Sequence, residues 1–269
     1  MSGNGRLALT FHCAFVVFML APIVVVCIVA FTPEGYLSFP THGLSLRWFK
    51  AIADYPEFIR AARTSLLLGT VSSITVLGFA IPAALAIARY RFWGREAMTT
   101  LFLSPLMIPY AVLGIAFLRF FSQIGLAGTL TGLILAHLVI VLPFALRLTL
   151  SSAIGMDPRI EQAATSLGAT RWIVFRRITW PLILPGVISG WMLAFIQSFD
   201  EVTMTVFIAA PGTETLPVRM FLYIQDNIDP LVTSVSACVI ALTVILLVIV
   251  DQLFGLERIL LGRPNDGEG

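Results

Sequence analysis

The stretch DPRIEQAATSLGATRWIVFRRITWP, residues 157–181, lies between two long apolar runs. Asp157 followed by Pro158 marks a helix start. The carboxylate can accept a free N–H of the first turn, and proline fits the first helical position. Arg159 to Leu167 reads as a short helix. Gly168 stops it, because glycine tolerates the left-handed backbone found at helix ends. Thr170 then caps a second short helix, expected from Arg171 to Ile178. The stretch is helix, glycine turn, helix, and it sits within the longest polar loop, residues 148–181.

Outward from this loop the sequence becomes apolar. Leu130–Arg147 precedes it and Leu182–Ala209 follows it, with Leu7–Phe31, Thr64–Ala88, Met98–Leu118 and Leu231–Phe254 farther away. A helix needs about 20 mostly apolar residues to cross a bilayer, so the sequence predicts six spans. The runs are continuous rather than alternating, and only helices or closed barrels satisfy the backbone in lipid. The reading is an all-α, polytopic membrane protein, with residues 1–269 as one transmembrane domain. Composition agrees: 58% of residues are hydrophobic, 12% are charged, and the mean hydropathy is +0.94. Soluble domains carry roughly 25% charged residues. Leu7–Phe31 is longer than the core of a signal peptide, usually about 7–15 residues, and no small-x-small site follows it. It reads as a retained first span.

Charge placement gives orientation. One set of loops holds Arg6, Arg89, Arg91, Arg95, Arg159, Arg171, Arg176, Arg177, Arg258 and Arg263. The opposite set holds Arg47, Lys50, Arg60, Arg119 and Arg219. The richer set, with both termini, is expected in the cytoplasm. The net charge of +2 gives no reason to expect a nucleic-acid partner. Cys13, Cys27 and Cys238 fall inside apolar runs and read as small packing residues. The scattered His12, His42 and His137 suggest no metal site. Within the fourth span, His137 either lines a pathway or is a hydrogen-bonded core residue. Pro82, Pro105, Pro109 and Pro143 are expected to kink spans.

The loop then reads Glu161-Gln162-Ala163-Ala164, Gly168-Ala169, and Ile178-Thr179-Trp180-Pro181. It resembles the EAA loop of binding-protein-dependent ABC importer permeases, with Ala163, Ala164, Gly168, Ile178 and Pro181 at the family spacing. Gln162 stands where the family has Glu, with Glu161 just before it, and Trp180 replaces Leu. The resemblance covers most of the chain. It implies the type I importer fold and a cytoplasmic loop that docks on an ATPase subunit. On that reading the small Ala163 and Ala164 allow close approach. Arg171, Arg176 and Arg177 can hydrogen-bond the partner. An alternative is an amphipathic segment resting on lipid headgroups, anchored by Trp172 and Trp180. The implied partners are a second permease subunit, two ATPase subunits and a periplasmic substrate-binding protein, in a bacterial inner membrane. The chain has no G-x-x-x-x-G-K-S/T loop. By the resemblance it is not itself an enzyme and holds no cofactor. ATP and magnesium belong to the partner subunits.

A second stretch, Ser198-Phe199-Asp200-Glu201, then Ala210-Pro211-Gly212 and Glu214-Thr215-Leu216-Pro217, is similar to permeases of spermidine/putrescine importers. Gln197, Glu201 and Thr205 would share one face of a continuous helix, with Asp200 beside them. Such a polar stripe suits a cation pathway, or a salt bridge to the partner permease. Importer permeases for an amino-acid derivative, an opine, a phosphonate or ferric iron are alternatives. A self-sufficient secondary transporter would be expected to show paired repeat halves, and none is visible. An intramembrane hydrolase would need a nucleophile–base pair, and Ser198 near Asp200 is not one.

Overall fold

Wherever this chain meets lipid its backbone polar groups must pair with one another, and helix dominates accordingly. The computed structural model describes residues 3–254. Its helices are α1 (Gly3–Val29), α2 (Arg47–Ala51), α3 (Pro56–Arg89), α4 (Arg95–Leu103), α5 (Tyr110–Ile124) and α6 (Leu130–Gly155). They continue as α7 (Pro158–Ser166), α8 (Arg171–Val174), α9 (Trp180–Phe199), α10 (Thr205–Ile208), α11 (Leu216–Asp226) and α12 (Leu231–Phe254). Among the described residues, four helices are long and apolar enough to cross a membrane, or five if one bent pair counts as a span. The six expected runs fall on α1, α3, the bent α4–α5 pair, α6, α9 and α12. α12, Leu231–Phe254, has 24 residues and carries no charged residue before Asp251. Arg258 and Arg263, counted above for orientation, lie outside the described residues.

Chain contacts divide these residues into two units. The first combines residues 3–59 with 220–253. The Ser234 hydroxyl donates to the Ala30 carbonyl at 3.0 Å and fastens α12 to the end of α1. Trp48 Nε1 donates to the Glu34 carbonyl at 2.9 Å, pinning the loop after α1. Tyr55, Phe58 and Tyr223 meet edge to face. The Tyr223 hydroxyl donates to Asp229 Oδ2 at 2.7 Å, while Asp229 Oδ1 accepts from the Leu231 N–H and caps α12. Burial, reinforced by the Asp229 bond, pushes the Tyr223 hydroxyl far above its usual range and keeps it a neutral donor. Cys27 is half-buried, while Cys13 and Cys238 are exposed, which corrects the reading as packing residues for those two.

The second unit, residues 60–219, is organised around the α6–α9 pair. Gly186 and Gly190 lie four residues apart on α9, with Ala194 one turn on. A Cβ on Gly186 would lie 2.4 Å from Ser152 Cβ and 2.8 Å from the Leu148 carbonyl. At Gly190 it would lie 3.0 Å from the Ala145 carbonyl. Apolar side chains gain little by leaving lipid for one another, so close backbone approach through small residues is what holds such helices together. Leu146, Ile140, Ala136 and Leu133 of α6 are fully buried with Leu68, Val76 and Ala80 of α3.

Two expected spans are not continuous. Met98–Leu118 is divided between Arg95–Met107 and Tyr110–Ile124, which meet at 101°. Ile108, held extended at φ −96°, ψ 129°, precedes Pro109. A residue before proline is pushed out of the helical region, and proline has no N–H to continue the ladder. Pro82 and Pro143, by contrast, remain inside unbroken α3 and α6. The run Leu182–Ala209 is displaced: helix runs continuously from Arg171 to Phe199 and stops there. The second short helix therefore does not end at Ile178. It passes through a π turn, Phe175–Thr179, in which the Trp180 N–H reaches back to the Phe175 carbonyl. Pro181 has no N–H for the Arg177 carbonyl and its ring crowds it, and a wider turn accommodates both. The fourth span extends past Arg147 to Gly155.

Replacing Gly186 with Val drives a side chain into Ser152 and the Leu148 backbone. The fold is expected to lose about 1–3 kcal/mol, read as a lower melting temperature in detergent. Gly78→Ala, where nothing lies within 4 Å of the added carbon, is expected to hold or raise it.

Candidate functional site

Capping chemistry builds the loop at residues 157–181. The Arg159 N–H donates to Asp157 Oδ1 at 2.9 Å, and Pro158 opens α7. Gly168 closes it at φ 85°. The Gly168 N–H reaches Thr165 and the Ala169 N–H reaches Ala164, satisfying the last carbonyls of the helix. Thr170 Oγ1 accepts from the Ile173 N–H at 3.4 Å and opens α8. Gln162, Ala163 and Gly168 are exposed, and Ala164 and Ala169 half-buried. Ile160, Leu167, Trp172 and Ile173 add exposed apolar surface, with Leu167 at 89% exposure. Arg171, Arg176 and Arg177 are exposed, Ile178 is half-buried and Pro181 exposed. Glu161 behaves differently. Its side chain is 15% exposed and pairs with Arg89 at the end of α3. Its other oxygen accepts from the Thr179 hydroxyl. Beside it, Arg89, Arg95, Met156, Gln162, Thr165 and Ser166 border an open cleft of about 710 Å³.

At the other end of α9 the polar stripe expected over Gln197, Glu201 and Thr205 is interrupted. Helix stops at Phe199, and residues 201–204 are non-helical before the single turn of α10. The cause is Glu201, only 5% exposed. Its carboxylate accepts the Met204 N–H at 2.6 Å, the Thr205 N–H at 2.8 Å, and the Thr205 hydroxyl. It caps α10 with backbone groups that would otherwise extend α9. Thr205 Oγ1, having donated to Glu201, accepts from His137 Nε2 at 3.0 Å. The remaining His137 nitrogen, Nδ1, then accepts from the Ser198 hydroxyl at 2.8 Å. The tautomer follows from this one-way chain, Ser198 to His137 to Thr205 to Glu201. All four residues are buried, so His137 is a hydrogen-bonded core residue. Sequence reading missed its pairing because sixty-one and sixty-eight positions separate it from its partners. Asp200 is exposed at the end of α9, and Gln197 is half-buried one turn earlier. Gly114 of α5 lies so close to this break that a Cβ there would sit 2.9 Å from the Met204 carbonyl.

Residues 77–256 match the family described as binding-protein-dependent transport system inner membrane component. The chain belongs to that family. It is a multi-pass ABC importer permease subunit. The spermidine/putrescine transport system permease protein PotC of Haemophilus influenzae is 30% identical over 232 residues, 86% of this permease and 90% of that protein. The sulfate transport system permease protein CysT of Escherichia coli K12 is 28% identical over 243 residues, covering 85% and 88%. A bacterial ABC transporter involved in the import of the acidic polysaccharide alginate superposes with a TM-score of 0.72. It covers 94% of this permease and 99% of that chain at 16% identity, a likeness of fold.

The two neighbouring carboxylates of this permease are expected to part company on substitution. Glu201→Gln removes charge-assisted bonds to two buried N–H groups and should cost about 1–3 kcal/mol. Asp200→Asn, at an exposed site, should stay within about 0.5 kcal/mol. Thermal unfolding of the two purified variants measures the contrast.

Proposed function

We propose that this permease is the transmembrane subunit of an ATP-driven importer of polyamines, spermidine or putrescine. It forms the translocation pathway with a second permease, receives substrate from a periplasmic binding protein, and couples through α7 to two ATPase subunits. ATP and magnesium are bound by those ATPases, so this chain is not catalytic. The loop end of α9, with Arg89, Arg91, Arg95, Arg159, Arg171, Arg176 and Arg177, faces the cytoplasm, as do both termini. The exposed face of Gln162, Ala163, Leu167 and Gly168 is the docking face. Its small and apolar residues suit a protein groove.

The observation that carries the substrate reading is the division of labour at the break. Glu201 is wholly engaged by N–H and O–H donors, while Asp200, next to it, is left exposed. α9 has 20 residues, so Asp200 lies about 30 Å along the helix from the loop. The last carbonyls of a helix carry partial negative charge. Asp200, those carbonyls and the Gln197 amide together lower the cost of bringing an ammonium group out of bulk water. The similarity to PotC supports the same class. Membership of the family does not by itself fix a cation, since CysT carries sulfate in its name.

The test is the complex reconstituted in proteoliposomes with its binding protein. Spermidine or putrescine should stimulate ATP hydrolysis and be taken up, whereas sulfate should do neither. Asp200→Asn should lower uptake about tenfold, the effect of losing one charged contact of about 1.4 kcal/mol, with the ATPases still attached. Sulfate-dependent uptake would sink the polyamine reading, and unchanged uptake in Asp200→Asn would remove Asp200 from the pathway.

A further inference from the structure

Glu161 sits where four pieces of chain converge. One carboxylate oxygen pairs with Arg89, the last residue of α3, and the other accepts from Thr179 in the π turn below α9. Arg89 also reaches Met156 Sδ at 3.7 Å, between α6 and α7. Both charged side chains are largely shielded, and Thr179 is 4% exposed. Glu161 lies in the first turn of α7, where a carboxylate is favoured by the helix dipole. Its neighbour Gln162 is rotated about 100° around the helix and exposed. One turn of α7 thus offers one face outward and holds the rest of the unit with the other.

The partner of that inner face is a helix with a built-in discontinuity. A π turn holds one more residue than an α turn. Tightening it shifts everything beyond by one residue, a rotation of about 100°. Beyond it, in unbroken helix, lie Gly186 and Gly190 against α6, then Ser198 and Asp200 at the break. A shared carboxylate that grips both the π turn and the end of α3 ties any displacement of α7 to both helices. Coupling between distant sites needs such an element with two arrangements.

We propose that Glu161 is the positioning residue that transmits movement of the docking helix to the spans, through its ion pair with Arg89 and its hydrogen bond from Thr179. The proposal rests on α7 being the ATPase-docking element. Breaking the Glu161 contacts leaves the exposed face of Gln162, Ala163, Leu167 and Gly168 untouched. The ATPases therefore still dock and hydrolyse ATP, while less of the stroke reaches the pathway.

The experiment measures substrate taken up per ATP hydrolysed in proteoliposomes, together with the amount of ATPase that co-purifies. Glu161→Gln and Thr179→Val are expected to keep the ATPase at wild-type level. The uptake-to-hydrolysis ratio should fall by about tenfold, within the range a single coupling residue carries. Exchanging the pair, Arg89→Glu with Glu161→Arg, is expected to restore most of the ratio lost in either single variant. An unchanged ratio in Glu161→Gln and Thr179→Val overturns the proposal, as does failure of the exchanged pair to rescue. Loss of the ATPase from these variants alone overturns it too, because Glu161 would then only shape the docking face. Loss of the ATPase from the wild type as well would instead refute the docking role of α7, and the proposal with it.

Discussion

In hydrocarbon a backbone N–H or C=O without a partner costs several kcal/mol, and this permease interrupts its helical ladder at three places. At Ile108–Pro109 the ladder stops because proline cannot donate, and the chain turns by 101°. At residues 201–204 it stops because Glu201 offers its carboxylate to two backbone N–H groups. At Phe175–Thr179 it widens ahead of Pro181 rather than breaking. Each interruption is partly satisfied within the chain: the Ile108 N–H reaches the Pro105 carbonyl, the Trp180 N–H the Phe175 carbonyl, and the Met204 and Thr205 N–H groups the Glu201 carboxylate.

Two of those interruptions, the π turn and the break at residues 201–204, lie at the two ends of α9, which packs along α6. Gly186 and Gly190 let α9 lie against α6 near the loop end. His137 of α6 ties to Ser198 and Thr205 at the far end. One helix pair therefore runs from the loop at residues 157–181 to the exposed Asp200, held by small residues at one end and by hydrogen bonds at the other. Such a pair suits the proposed coupling, in which events at the loop are carried to a site about 30 Å away.

Local chemistry was legible in the sequence and long-range chemistry was not. Asp157, Pro158, Gly168 and Thr170 act on groups within a few residues, so their capping roles follow from the sequence alone. The EAA-like spacing identified the family because it is also local. The apolar run Leu182–Ala209 misled, since its apolar residues extend past 199 and only Glu201, read as a member of a stripe, signals the break. An acidic residue three to four positions ahead of a short apolar stretch is equally a helix-start signal. The Gly186–Gly190 spacing was visible too, but its meaning depends on which helix lies opposite. The Arg89–Glu161 pair spans seventy-two positions, and nothing in either neighbourhood announces it.

The central claim is that α7 presents its outer face to an ATPase subunit. A photo-crosslinking amino acid in place of Leu167, in the assembled complex in native membranes, tests it directly. The account predicts a covalent product with the ATPase subunit, and a much weaker one with the probe at Thr165. Crosslinking of position 167 to lipid alone, or to the periplasmic binding protein, would contradict it.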